Sequence, residues 1–326
     1  MENSRLNALT AASVRERHGR LLATSNNQTP TTMDYLVNSP LFSIQTITRD
    51  REIISKMRPL QCGLLAEMLL DRNDALETLP PIQAHADRRL FFNVTTPSSI
   101  FICGSQGSGK SHTLSCLLEN CLAISDATVL PKPLSALLFY YDAFISDDGG
   151  SPCEAAYLAS LSGVKVRVIC APTNLRTIQK TYQSLNVSVE PLQIDSHALN
   201  TKRVLDLMAV KPEEGSVPLY VHTVNRILRE MRMSQQGTGT RFDYQTFKKE
   251  ILAADLSPAQ LAPLSQRLAM LESFMPQTGD RAKGKYGKSP TGTSWKNQPG
   301  LLTIVDLSCP CVSPETACSL FNICLI

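Results

Sequence analysis

The segment Gly104-Ser105-Gln106-Gly107-Ser108-Gly109-Lys110-Ser111 is the most informative part of the sequence about the fold. It matches the pattern Gly-x-x-x-x-Gly-Lys-Ser/Thr at every fixed position. Glycine lets the backbone fold around phosphate oxygens in conformations that a Cβ forbids, so that successive N–H groups point at one anion. The pattern therefore predicts a phosphate-binding loop.

The polar residues of this loop have separate predicted roles. Lys110 is expected to reach the β- and γ-phosphates of a nucleotide, and the Ser111 hydroxyl is expected to ligate Mg²⁺. We therefore predict that residues 104–111 and the adjacent His112 contact a nucleotide. The base-reading motif Asn-Lys-x-Asp of GTPases does not occur in the chain, which favours ATP over GTP. The predicted cofactors are ATP and Mg²⁺.

The residues on either side of the loop predict the strand and the helix that the pattern requires. Ile100-Phe101-Ile102-Cys103 is an apolar run typical of a short buried strand. After the loop, one helical face is predicted by the i, i+3, i+4, i+7, i+8 spacing of Leu114, Leu117, Leu118, Cys121 and Leu122.

Further nearly all-apolar runs predict a parallel sheet that is covered on both faces. These runs are residues 136–141, 164–170, 187–194 and 301–307. Helical stretches separate them, so the predicted fold class is α/β, a P-loop NTPase core with a mostly parallel sheet flanked by helices. Residues 198–276 read as an inserted helical subdomain, in which Ser257 and Gln260 form a capping-box pattern.

The rest of the chain is assigned from composition. The composition of residues 1–34 predicts a disordered tail, and residues 35–326 are predicted to form one P-loop domain. Within that domain, the apolar residues of 53–70 recur at helical spacing. Residues 277–299, rich in glycine and lysine, predict a flexible basic loop. The alternative is a basic arm that binds nucleic acid, with Tyr286 and Trp295 available to stack on bases.

Overall composition limits the function classes. The net charge is only +3, too small to indicate nucleic-acid or membrane binding by the whole chain. No apolar run approaches the roughly 18–20 residues that span a bilayer, and no secretory leader is recognised. We therefore expect no membrane partner and an intracellular location, cytoplasmic or nuclear. The 10 cysteines lack metal-ligand spacing and are expected to be reduced.

A second acidic group for Mg²⁺ is harder to assign. Asp306 ends an apolar strand and is the predicted metal ligand, through water, together with Ser111. Leu307 follows it where many ATPases place a glutamate that polarises water, so the catalytic residues stay unknown. Asp142 ends another strand and is an equally placed rival. For either aspartate, the alternative is a side chain that caps a turn.

Together these residues resemble the HerA/FtsK-like branch of P-loop ATPases, most closely an uncharacterised fungal group within it. The resemblance spans residues 91–326 and is carried by residues 101–114, 152–158 (Pro-Cys-Glu-Ala-Ala-Tyr-Leu) and 302–308 (Leu-Thr-Ile-Val-Asp-Leu-Ser). It implies ATP hydrolysis coupled to conformational work and a homo-oligomeric ring. It also implies that the strand ending at Asp306 precedes the true Walker B strand, so the Asp-Glu motif is expected beyond Ile326.

Two alternatives to an ATPase remain at this point. The chain could bind nucleotide without turnover, because no catalytic glutamate, sensor or arginine finger is recognised. A P-loop kinase is disfavoured because no arginine-rich lid segment is present.

Overall fold

The computed structural model describes residues 39–43, 61–68, 87–196, 199–208, 219–276 and 292–325. The predicted tail over residues 1–34 lies outside these ranges. Contacts divide the chain into two compact units, residues 1–101 with 126–131 and residues 102–125 with 132–326.

The first unit contains an antiparallel sheet of strand order β1-β3-β2-β4. The strands are β1 (Leu41–Ser43), β2 (Cys62–Glu67), β3 (Arg89–Asn93) and β4 (Thr128–Val129). The helical spacing predicted over residues 53–70 is wrong for β2, which pairs with β3 on one side and β4 on the other. Short apolar runs fit both the helical and the strand periodicity, and here the pairing between strands determines that the segment is extended.

The second unit contains a parallel sheet of strand order β5-β8-β6-β7. The strands are β5 (Ala136–Tyr140), β6 (Lys165–Cys170), β7 (Val187–Pro191) and β8 (Leu301–Asp306). β8 lies between two neighbours, and five of its six residues are buried. The prediction of an α/β fold with a parallel sheet flanked by helices is confirmed at this level.

The apolar run before the glycine-rich loop is not a strand. Residues 100–103 pair with no strand of the described chain, and the Phe101 side chain is 89% exposed. The predicted buried strand, with Cys103 at its end, is therefore wrong. Apolar composition favours an extended backbone, but it does not name the strand edge with which the run must pair.

Alternate residues of the parallel strands point to two separate cores. On one face, Val168 and Ile304 pack against the 3₁₀ helix Glu154–Ser160, α2 (Leu175–Thr181) and the last turns of α1 (Lys110–Leu122). On the other face, Ile169 and Val305 pack against the remaining helices. The glycine-rich loop leads into α1, so it belongs to the first of these faces.

The described residues between β7 and β8 contain four helices, in the region predicted to be a helical insertion. They are α3 (Thr201–Met208), α4 (Leu219–Thr238), α5 (Tyr244–Ala253) and α6 (Pro258–Ser273), and α7 (Pro314–Cys324) follows β8. The capping box of α6 is present: the Ser257 N–H donates to Gln260 Oε1 over 3.2 Å. α6 continues through Pro263 without ending.

The segment before β8 is hydrogen-bonded to the segment that follows β7. The Thr293 N–H donates to the Gln193 carbonyl over 2.7 Å, and the Gln193 N–H donates to Thr293 Oγ1 over 2.8 Å. Trp295 packs against the helical core. This end of the predicted flexible loop is therefore ordered, and Trp295 does not stand free to stack on a base; residues 277–291 lie outside the described ranges.

We expect Trp295→Ala to lower the free energy of unfolding by about 2 kcal/mol, below the full cost of removing a fully buried tryptophan, because the ring is half-buried. Urea unfolding followed by circular dichroism measures this change. Lys296→Ala is the control, since an exposed side chain should cost less than about 0.5 kcal/mol. Equal losses in the two variants would contradict the packing role of Trp295.

Candidate functional site

The glycine-rich loop adopts backbone conformations that its sequence predicts. Gly107 has φ +78° and Gly109 has φ +86°, both in the left-handed region. A side chain is strained there, which explains glycine at both positions. Gly109 is also the N-cap of α1, so the loop ends where the helix begins. At Gly104 an added Cβ would collide with the Ser108 hydroxyl, because the loop closes on itself.

Lys110 lies back across the loop. Its Nζ donates to the Ser105 carbonyl oxygen over 2.7 Å, and the Ser108 N–H points at the same oxygen over 3.3 Å. Lys110 is half-buried, whereas residues 104–109 and Ser111 are exposed. The ammonium group is therefore held beside a solvent-exposed loop that an anion can approach.

The first turn of α1 adds to this positive character. Its leading N–H groups have no partner within the helix, and they carry the positive end of the helix dipole. No acidic residue lies in this turn, so no carboxylate of the helix opposes an anion. His112 is exposed, and its Nε2 lies 3.7 Å from Cys116 Sγ one turn along. The loop and this turn together fit a group that presents several phosphate oxygens.

Asp306 occupies a different environment from the one predicted for a metal ligand. It is only 1% exposed. Its Oδ2 accepts from the Tyr182 hydroxyl over 2.8 Å, and its Oδ1 accepts from the Ser308 N–H over 3.0 Å. The Tyr182 oxygen in turn accepts from the Cys153 N–H over 2.9 Å. This enclosed arrangement does not fit a magnesium ligand acting through water.

The rival aspartate is also engaged in local hydrogen bonds. Asp142 Oδ1 accepts from the Phe144 N–H over 2.9 Å, which caps a turn after β5. The Asp142 N–H donates to Ser308 Oγ over 2.8 Å, and Asn174 Nδ2 donates to the Ser308 carbonyl over 2.7 Å. Both aspartates therefore match the turn-capping alternative. Their bonds tie together the carboxyl ends of β5 and β8.

The two halves of the predicted metal site share no hydrogen bond among the described residues, and their joint role stays a prediction. The last turn of α1 meets the amino ends of the strands, where the Leu134 N–H donates to the Cys121 carbonyl over 2.8 Å. α1 has 13 residues, so its first turn lies about 20 Å from that contact, and Asp306 likewise lies away from it, at the carboxyl end of β8. Among the described residues, no hydrogen bond connects Lys110 or Ser111 to Asp306, and no group of three or more His, Cys, Asp or Glu is arranged to hold a metal.

The hydrogen bonds around Asp306 and Ser308 form a buried network with Tyr182, Cys153, Asn174 and Asp142. Several of these residues carry no sequence signal. Tyr182 follows α2 at a position that no motif marks, and Asn174 ends a short 3₁₀ turn. Ser308 lies in a segment that the family resemblance includes, but its role as a link between two strands depends on the fold. The network was therefore missed because its members are distant in the chain.

Burial raises the pKa of the Asp306 carboxyl above its usual range, against hydrogen bonds from Ser308 and Tyr182 that lower it; the charge of Asp142 also raises it. A carboxyl with a raised folded-state pKa stabilises the protein below its unfolded pKa of about 3.9, and this contribution is lost as pH rises through the folded value. We expect the unfolding free energy of wild type, minus that of Asp306→Asn, to fall as pH rises from about 3.9 through the folded-state pKa of Asp306. Urea unfolding at several pH values measures it, and a rising difference would contradict the direction.

Comparison of the chain with protein-family profiles, curated proteins and solved structures finds no match. The resemblance to HerA/FtsK-like ATPases therefore rests on the sequence motifs alone. Within the described residues, no helix combines the length and apolar character needed to cross a membrane.

Proposed function

We propose that this chain binds Mg-ATP through residues 104–111. The observation that carries the proposal is the closed glycine-rich loop at the start of α1, with Lys110 folded across it. Exposed N–H groups, a lysine and a helix N-terminus converge there, and these are the groups that bind phosphate in P-loop proteins. The adjacent His112 is the proposed further contact.

The magnesium ion is proposed to bind through the Ser111 hydroxyl and the phosphates of the nucleotide. Ser111 is exposed in the first turn of α1, beside the loop. Mg²⁺ keeps several water ligands and needs few protein ligands when phosphate is present. Its chemical contribution is to neutralise phosphate charge. Asp306 is left out of this proposal because it is buried and doubly hydrogen-bonded.

The proposed parent activity is that of a HerA/FtsK-like ATPase, in which a ring of identical subunits couples hydrolysis to conformational work. The motifs of residues 101–114, 152–158 and 302–308 support it. A second candidate is nucleotide binding without turnover. The enclosed position of Asp306 and the turn-capping bond of Asp142 favour this second candidate for the isolated chain.

Ligand-induced stabilisation tests nucleotide binding. Mg-ATP at about 100 times its Kd should raise the unfolding free energy by roughly 2.7 kcal/mol, because it binds the folded state only. Lys110→Ala should lose most of this gain, since the ammonium group that faces the phosphates is removed. Lys132→Ala, which removes an exposed lysine away from the loop, should keep it. Equal stabilisation of the wild type and Lys110→Ala would contradict binding at this loop.

A further inference from the structure

A cavity of about 390 Å³ lies on the sheet face opposite α1. Its floor is one row of residues across three strands, in which Leu137 and Arg167 both pair in register with Thr303. Trp295, Asn297 and Leu325 form part of its walls. The volume is in the range of small-molecule sites, which is about 300–1,000 Å³.

Arg167 brings a positive charge to this cavity, and no carboxylate of the described residues pairs with it. Its Nη1 donates to the Ser294 carbonyl over 2.9 Å, and its Nη2 donates to Thr303 Oγ1 over 3.2 Å. Its Nε is buried and has no hydrogen-bond partner. Among the described residues no ion pair includes Arg167. A guanidinium stays charged at any ordinary pH, and enclosing one of its N–H groups without a partner is unfavourable even in a half-buried side chain.

We propose that this cavity binds a small organic carboxylate, with Arg167 as its anchor. Three N–H groups of the guanidinium remain after the bonds to Ser294 and Thr303, that of Nε among them, and a planar fork of this kind suits a carboxylate. The apolar groups Leu137, Trp295 and Leu325 surround the remainder of such a ligand. Leu137 is 40% exposed and Leu325 is 60% exposed, so bound carbon atoms would cover apolar surface.

The wall composition favours an organic carboxylate over a phosphate. One arginine is the single cation among the lining residues, and a phosphate dianion is normally held by several donors or charges. The apolar walls would leave a free inorganic anion without contacts. This site is independent of the nucleotide proposal, because α1 packs on the other face of the sheet.

Trp295 is the single tryptophan of the chain, so its fluorescence reports on the cavity directly. Benzoate is the probe, titrated against sodium chloride of equal ionic strength and against inorganic phosphate. We expect a saturable change of emission with benzoate only. Arg167→Met should raise the apparent Kd about tenfold or more, because a charge-assisted pair is lost.

Two further variants keep the test decisive. Arg167→Lys retains the charge but loses the planar fork, so it should still fold and bind benzoate several-fold more weakly. Lys165→Gln removes an exposed cation two residues earlier on β6 and should leave binding unchanged. No saturable response in the wild type, equal affinity in the wild type and Arg167→Lys, or an equal response to inorganic phosphate would overturn the proposal.

Discussion

Purified wild-type chain should release phosphate from ATP at a background rate, far below the enzyme median of about 10 s⁻¹. Hydrolysis needs a bound nucleotide, neutralised phosphate charge and an oriented water. The loop, Lys110 and Ser111 serve the first two requirements. For the third, Asp306 is enclosed by hydrogen bonds, and Leu307, which follows it, is buried.

Two other acids, Asp142 and Glu154, have no hydrogen bond to the loop among the described residues. Asp142 caps its own turn, and Glu154 is exposed at the start of a 3₁₀ helix. Phosphate release with and without Lys110→Ala measures the residual rate. Robust turnover that depends on Lys110 would contradict the prediction. Asp306, Asp142 and Glu154 would then be the first residues to mutate.

Tyr182→Phe should lower the free energy of unfolding by about 3 kcal/mol, because removing one hydroxyl leaves two buried groups without their partner. Asp306 Oδ2 would lose its donor, and the Cys153 N–H would lose its acceptor. The phenylalanine ring itself keeps the packing of a side chain that is 1% exposed. Urea unfolding at constant pH measures the loss.

Tyr157→Phe is the matched control for this substitution. Tyr157 lies in the 3₁₀ helix close to Cys153, but its side chain is 55% exposed. Removing an exposed hydroxyl should change stability by less than about 0.5 kcal/mol. A Tyr182→Phe variant as stable as Tyr157→Phe would mean that the buried network contributes nothing to the fold.

Much of the second unit was predictable because its central strands, β6 and β8, are mostly buried. Runs such as that of β8 are nearly all apolar, and only a strand between two packed layers tolerates this composition. The capping box of α6 was also readable, since its two reciprocal bonds join residues three positions apart. Local signals of this kind survive folding because their partners are adjacent in the chain.

Predictions failed where the outcome depends on distant partners. Residues 100–103 have the composition of a strand, but composition does not supply a neighbouring edge. β2 was assigned helical spacing, and its pairing with β3, about 30 residues later, determines its conformation. Trp295 looked free in a glycine-rich stretch, but the Gln193 backbone holds the segment beside it.

At the candidate site too, local features were predictable and relations between distant residues were not. The loop is a contiguous motif, and its left-handed glycines follow the pattern. The role of Asp306 depends on Tyr182, which is 124 residues away in the chain. The charge of Arg167 faces Thr303 only because β6 and β8 are neighbours. Neither relation is visible before the strand order is known.

Equilibrium dialysis of ATP with Mg²⁺ separates nucleotide binding from every later step. Wild-type chain should bind saturably, close to one ATP per chain, as expected of a single phosphate-binding loop. Lys110→Ala should bind far more weakly, and Lys132→Ala should bind as the wild type does. Absence of saturable binding by the wild type, or equal binding by Lys110→Ala, would contradict the proposal that residues 104–111 hold the nucleotide.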